Sequence, residues 1–133
     1  MILKLFITSL IWALLIMIVC AIPGGSLPKN QLFNIPNLDK IVHACLYFPL
    51  AFFLGAEFDL SKKRILPLLG PLITMLIVAF YGGLIEFLQE TIFINRSAEI
   101  MDFLADVIGG LAGLTIYYLF FRPFFHRLSV RKP

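Results

Sequence analysis

Between Leu5 and Ile22 the chain carries no charged residue, and a second uncharged run leads from Ile65 to Ile85. Each is near the roughly 20 apolar residues that a helix needs to cross the hydrocarbon of a bilayer. Inside lipid every backbone N–H and C=O must find a partner within the chain, so such runs fold as helices. Two further apolar stretches complete the pattern. The sequence predicts an all-α protein, an integral membrane bundle of four transmembrane helices near residues 5–22, 40–56, 65–93 and 101–121. Composition agrees: hydrophobic residues make up 60% and charged residues 14%, against roughly 45–50% and 25% in soluble domains. That balance, with a mean hydropathy of +0.95, excludes an ordinary soluble domain. No polar stretch is long enough for a second fold, so residues 1–133 read as one membrane domain.

The punctuation fits. Pro23, Gly24 and Gly25 end the first run. A signal peptide has a shorter apolar core, about 7–15 residues, so a retained helix is expected. Pro28, Pro36 and three asparagines mark the next segment as a loop. Asp39 follows as a cap or first-turn acid of the second helix, where its charge suits the helix dipole. Pro49 and Gly55 are tolerated in membrane helices. Glu57–Arg64 reads as a charged turn. Pro67 and Pro71 fall in the first turns of the third helix, where a missing N–H costs least. That helix exceeds a minimal span, which implies tilt or a projecting end. Gly109, Gly110 and Gly113 give the fourth helix a small-residue packing face. An aromatic band and a basic tail, residues 122–133, follow it. Cys20 and Cys45 lie in apolar runs and read as buried small hydrophobes. A disulfide would require both near the outer face.

Four crossings put both termini and the middle loop on one side. That side holds Lys4, Lys62, Lys63, Arg64, Arg122, Arg127, Arg131 and Lys132, eight of the 11 basic residues. The positive-inside rule therefore expects both termini in the cytoplasm, with the protein multi-pass in a bacterial cytoplasmic membrane. The tail should favour anionic inner-leaflet lipid. It is too short to suggest nucleic-acid binding. Six of the eight acids fall in the opposite half.

Those acids matter because ionisable side chains near hydrocarbon cost on the order of 2.5–3.5 kcal/mol each at a helix centre. Glu86, Gln89 and Glu90 end the third helix, Asn95, Arg96 and Ser97 form a polar break, and Asp102 and Asp106 open the fourth. Asp39, His43 and Tyr47 are spaced i, i+4, i+8 and share a face of the second helix. A polar pocket at one membrane face is the expected reason. The ordered set Asp39-Lys40-x-x-His43, Tyr81-Gly82 with Glu86-x-x-Gln89, Arg96-Ser97, and Asp102-x-x-Ala105-Asp106-x-x-Gly109 resembles the VanZ-like family. These are small multi-helix bacterial membrane proteins, named for one associated with teicoplanin resistance. The resemblance covers about Asp39 to Gly113 and implies a cell-envelope role. It departs at Asp106, where the family pattern often has asparagine.

Two readings stand for each residue. His43, with Asp39 orienting its ring, is a general base or metal ligand, or else a hydrogen-bonded packing residue. Glu86 is a pocket acid or an interhelix hydrogen-bond partner. Glu90 and Glu99 read as solvated rim residues. Arg96 grips a phosphate or carboxylate through two parallel bonds, or braces Asp102 or Glu86. Asp102 is a pocket acid or a cap, and Asp106 lies deeper. His43, Glu86 and Asp102 are thus the catalytic candidates. Asp39, Tyr47, Gln89, Arg96 and Asp106 are the binding candidates. One histidine with carboxylates does not identify a metal or other cofactor. The expected function is an outer-face pocket that binds or modifies an anionic envelope component, a lipid headgroup or cell-wall precursor, with an effect on glycopeptide susceptibility. An ion- or proton-coupled transporter would need polar groups continuing toward the cytoplasm. A non-catalytic partner subunit of a larger membrane enzyme is the third alternative.

The topology has a direct test. A membrane-impermeant thiol reagent added outside should label an Asn30→Cys variant and spare Ser129→Cys; the reverse result inverts the orientation.

Overall fold

The computed structural model describes residues 2–23, 36–60 and 69–130. Among them are four helices long and apolar enough to cross a membrane, and no strand. They are α1 (Ile2–Cys20), α2 (Leu38–Leu60), α3 (Leu69–Thr91) and α4 (Ile100–Ile116). A π-helical turn, Tyr117–Phe121, links α4 to α5 (Arg122–Val130).

The bundle is built on α2 and α4. Asn37, at φ 58°, turns the chain into α2, and its carbonyl accepts the first bond, from Ile41 N–H at 3.2 Å. Asparagine tolerates this left-handed backbone better than most residues. Gly109 and Gly113 of α4 then lie against the backbone of Ala44 and Phe48. A β-carbon at either glycine would run into a main-chain carbonyl. This is the close approach that a small-x-x-x-small face allows. The neighbouring Gly110 makes room for α3 instead: a β-carbon there would sit 2.7 Å from Val78 Cγ1.

The first helix is attached differently. Its Trp12 Nε1 donates to the Leu46 carbonyl of α2 at 2.7 Å. Tyr81 of α3 donates its hydroxyl to the Ala13 carbonyl at 2.6 Å. Both aromatic tips thus find acceptors in apolar surroundings. The buried core runs through Ile16, Tyr47, Leu50, Ala51, Val78 and Ile85. Large apolar residues such as Leu3, Ile11, Phe80, Ile108 and Leu119 face outward, as lipid-facing side chains do.

Most helix ends fall within three residues of the sequence expectation, and among the described residues two differ by more. Residues 57–60, read as part of a charged turn, continue α2. The fourth helix does not stop at Phe121 but passes through the π-turn into α5. Polar partners explain both. Asp59 accepts from Tyr117 Oη at 3.0 Å and from Arg122 Nε at 3.2 Å, so a charged helix end is held by another helix. Arg122 also lies 5.4 Å over the Tyr118 ring. Residues 24–35, 61–68 and 131–133 lie outside the described residues, and with them Lys29, Lys62, Lys63, Arg64, Pro67, Arg131 and Lys132. Both described cysteines are free; Cys20 is buried, but Cys45 is exposed rather than buried as expected.

Placing bulk at the α2–α4 contact should separate the pair. Gly113→Leu should destabilise by about 1–3 kcal/mol or more, the cost of overpacking, read as a lower thermal midpoint and loss of monodisperse protein in detergent. Gly83→Ala, whose β-carbon meets only Phe103 Cε2 at 3.9 Å, should match the parent.

Candidate functional site

At one end of the bundle the start of α2, the end of α3 and the start of α4 meet. Gly109 seats α4 on Ala44, the residue after His43, and Asp106 lies one turn back along α4. The two side chains therefore face each other across this close contact. His43 Nδ1 lies 2.9 Å from Asp106 Oδ1, with both residues buried. The contact pairs one ring nitrogen with one carboxylate oxygen and leaves Nε2 and Oδ2 outside it. Gly82 of α3 provides the space on the other side: a β-carbon there would sit 2.8 Å from Asp106 Oδ2.

Glu86 lies one turn along α3 from Gly82. Its Oε2 accepts from the Glu99 backbone N–H at 2.7 Å, and Glu90 Oε2 accepts from Ala98 N–H at 3.0 Å. Two α3 glutamates thus hold the segment that leads into α4. Glu99 occupies the N-cap of α4 without a side-chain cap bond, so Glu86 serves that backbone donor from another helix. Gln89 Nε2 reaches the Cys20 carbonyl at 3.4 Å.

Several oxygens here find no partner among the described residues. They are Glu86 Oε1, Asp106 Oδ2, Gln89 Oε1 and Tyr47 Oη, all buried. An unsatisfied buried polar group costs about 1–3 kcal/mol, and more when charged. Four in one region of a small bundle is the mark of a site rather than of optimised packing. A cavity of about 270 Å³ lined by Gly83, Glu86, Ala98, Glu99, Ile100 and Phe103 leads to Glu86 from the side.

A second layer closes the mouth. Lys40 Nζ lies 2.8 Å from Glu99, 3.1 Å from Asp39 and 3.2 Å from Asp102. Asp102 is buried; Asp39 and Glu99 are exposed. Sequence reasoning treated Lys40 only as one letter of a pattern. The available signal was its position, a lone cation one residue after Asp39 on a helix facing an acidic one.

The structure brings His43, Tyr47, Glu86, Gln89, Asp102 and Asp106 to this end of the bundle. Two expected pairings are corrected. Asp39 does not orient His43. It stands exposed in the first turn of α2 and pairs with Lys40, while Asp106 takes the ring nitrogen because Gly109 lets α4 come close. Arg96 braces neither Asp102 nor Glu86. Asn95, at φ 54°, reverses the chain just before it, and Arg96 Nε donates to the Ile22 carbonyl beyond α1 at 3.0 Å.

An oriented imidazole beside a second carboxylate can accept and return a proton or hold a cation. The fold and this polar end define a multi-pass membrane bundle with an internal ionisable site. The VanZ/LLP1 family pattern matches residues 5–121, and the chain belongs to that family. No curated protein and no solved structure matches the chain.

The dyad has a spectroscopic test. The chain holds two histidines, so ¹⁵N signals of the His43 ring can be assigned by substitution. Asp106→Ala should abolish the hydrogen-bonded Nδ1–H signature, and Gly82→Ala should perturb it by displacing Asp106 Oδ2. An unchanged spectrum in both would remove the pair.

Proposed function

We propose that this protein is a multi-pass component of the bacterial cytoplasmic membrane, with both termini in the cytoplasm. In this reading its polar end faces outward and binds or modifies an anionic envelope component, a lipid headgroup or cell-wall precursor. One observation carries the proposal: the buried His43–Asp106 pair lies near Glu86, which borders a cavity, among oxygens that find no partner among the described residues. Acid–base groups at the height of the headgroups suit a substrate that enters laterally from the leaflet. His43, held by Asp106, and Glu86 are the groups that meet the ligand. Lys40, at the mouth, partly offsets the charge of the three carboxylates around it. Family membership supports an envelope role, and the basic residues at the opposite end support the orientation.

The layout speaks against a through-path for ions. Between the site and the Asp59–Tyr117–Arg122 group lie Leu50, Ala51, Val78 and Leu114, a buried apolar layer.

Single replacements His43→Gln, Glu86→Gln and Asp102→Asn should alter glycopeptide tolerance and the mass profile of envelope lipids in cells that depend on the protein. If the protein modifies its ligand, His43→Gln should slow turnover by about 10²-fold or more. Well-expressed variants that behave as the parent in both assays would make the polar end structural.

A further inference from the structure

His43 on α2, Glu86 on α3 and Asp106 on α4 can each present one ligand atom, with all three atoms within 4.8 Å of one another. Their relative exposures are 5%, 7% and 0%. Asp106 Oδ2 and Glu86 Oε1 have no donor among the described residues. Gly82 clears the space that Asp106 Oδ2 occupies, so the absence of a side chain on α3 is part of the construction. We propose that these three side chains form a binding site for a single divalent first-row transition-metal cation.

The donor set selects the ion. One imidazole nitrogen with two carboxylates is a mixed N/O set, suited to Mn²⁺, Fe²⁺ or Zn²⁺ rather than to thiophilic ions. Two ionised carboxylates balance a dication, so the loaded site is neutral, as buried surroundings demand. Each ligand comes from a different helix, so binding the ion ties α2, α3 and α4 together. Glu86 Oε2 already has a backbone partner that fixes its carboxylate, the support that metal ligands require, and His43 Nδ1 lies 2.9 Å from Asp106 Oδ1, so the two can face one ion side by side. Gln89 Oε1 and Tyr47 Oη, one turn along from Glu86 and His43, add neutral oxygens at the border of the site. Three protein ligands leave coordination positions open, and a cavity borders the set at Glu86. The consequence for the ligand rests on the function proposed above. An acid-rich pocket repels anions, whereas a bound dication gives a phosphate or carboxylate oxygen a place to attach.

The test uses the full chain in detergent, stripped with EDTA and titrated with Mn²⁺ while the paramagnetic resonance signal of the free ion is followed. Zn²⁺ serves as competitor. One Mn²⁺ per chain is expected, with affinity reduced about 10-fold or more in Glu86→Gln and in Asp106→Asn. Glu57→Gln, at the other end of α2, should bind as the parent does. Circular dichroism and gel filtration check that the variants fold. Independently of any variant, Mn²⁺ or Zn²⁺ should raise the thermal midpoint of the unsubstituted protein, and EDTA should reverse it. The absence of saturable binding at one ion per chain, or folded Glu86→Gln and Asp106→Asn variants with parental affinity, overturns the site. Short-chain phosphatidylglycerol, added with and without EDTA, separates the two proposals. Lipid binding that EDTA leaves unchanged, without metal binding, defeats the metal site alone. Stoichiometric metal binding without binding of an anionic lipid or precursor upholds the metal site and counts against the envelope ligand.

Discussion

The approach of α4 to α2 sets everything else. In lipid there is no hydrophobic force between helices, so close packing and polar contacts must hold them. Gly109 and Gly113 let the α4 backbone rest on Ala44 and Phe48. Because Ala44 follows His43, and Asp106 lies one turn before Gly109, the contact that joins the helices also fixes the distance between imidazole and carboxylate. Stability and site geometry are therefore the same feature. A bulkier residue at Gly109 would act on the pocket through the backbone, without touching any polar side chain.

The site is arranged in two tiers. On the outer tier one ammonium, Lys40, serves three carboxylates, two of them exposed. Exposed pairs of this kind contribute little to stability. They set the charge at the mouth of the polar end. On the inner tier the polar groups are buried, and some of their oxygens are left open. Glu86 joins the tiers: one oxygen steadies the backbone entering α4, and the other remains on the inner side.

Much of the architecture was legible because hydrocarbon is a strict filter. The uncharged runs gave the spans, and Gly109 with Gly113 gave a packing face. The cost of Glu86 and Asp106 in an apolar setting marked the polar end. Partner choice was not legible. Helical periodicity says which residues share a face, but not which residue of a distant helix stands opposite. Asp39, four residues before His43, looked like its partner by spacing, yet Asp106, 63 positions later, takes that place. Arg96 was unreadable for another reason. A carbonyl beyond the end of α1 needed a donor, and the turn at Asn95 put the guanidinium beside it. Charged residues also misled at residues 57–60, where they mark a helix end held by Tyr117 and Arg122 rather than a turn.

The first helix stands apart from this logic. It touches α3 only slightly, and between them runs an apolar groove of about 440 Å³ lined by residues such as Phe6, Leu10, Leu54, Ile73, Ile77 and Phe80. In a bilayer such a furrow belongs to acyl chains. The solvent of this protein then becomes part of its wall, and the thickness and fluidity of the surrounding lipid bear on how firmly α1 sits. The Ile22 carbonyl just beyond α1 accepts from Arg96 Nε, so α1 is tied to the segment that leads into α4 beside the pocket.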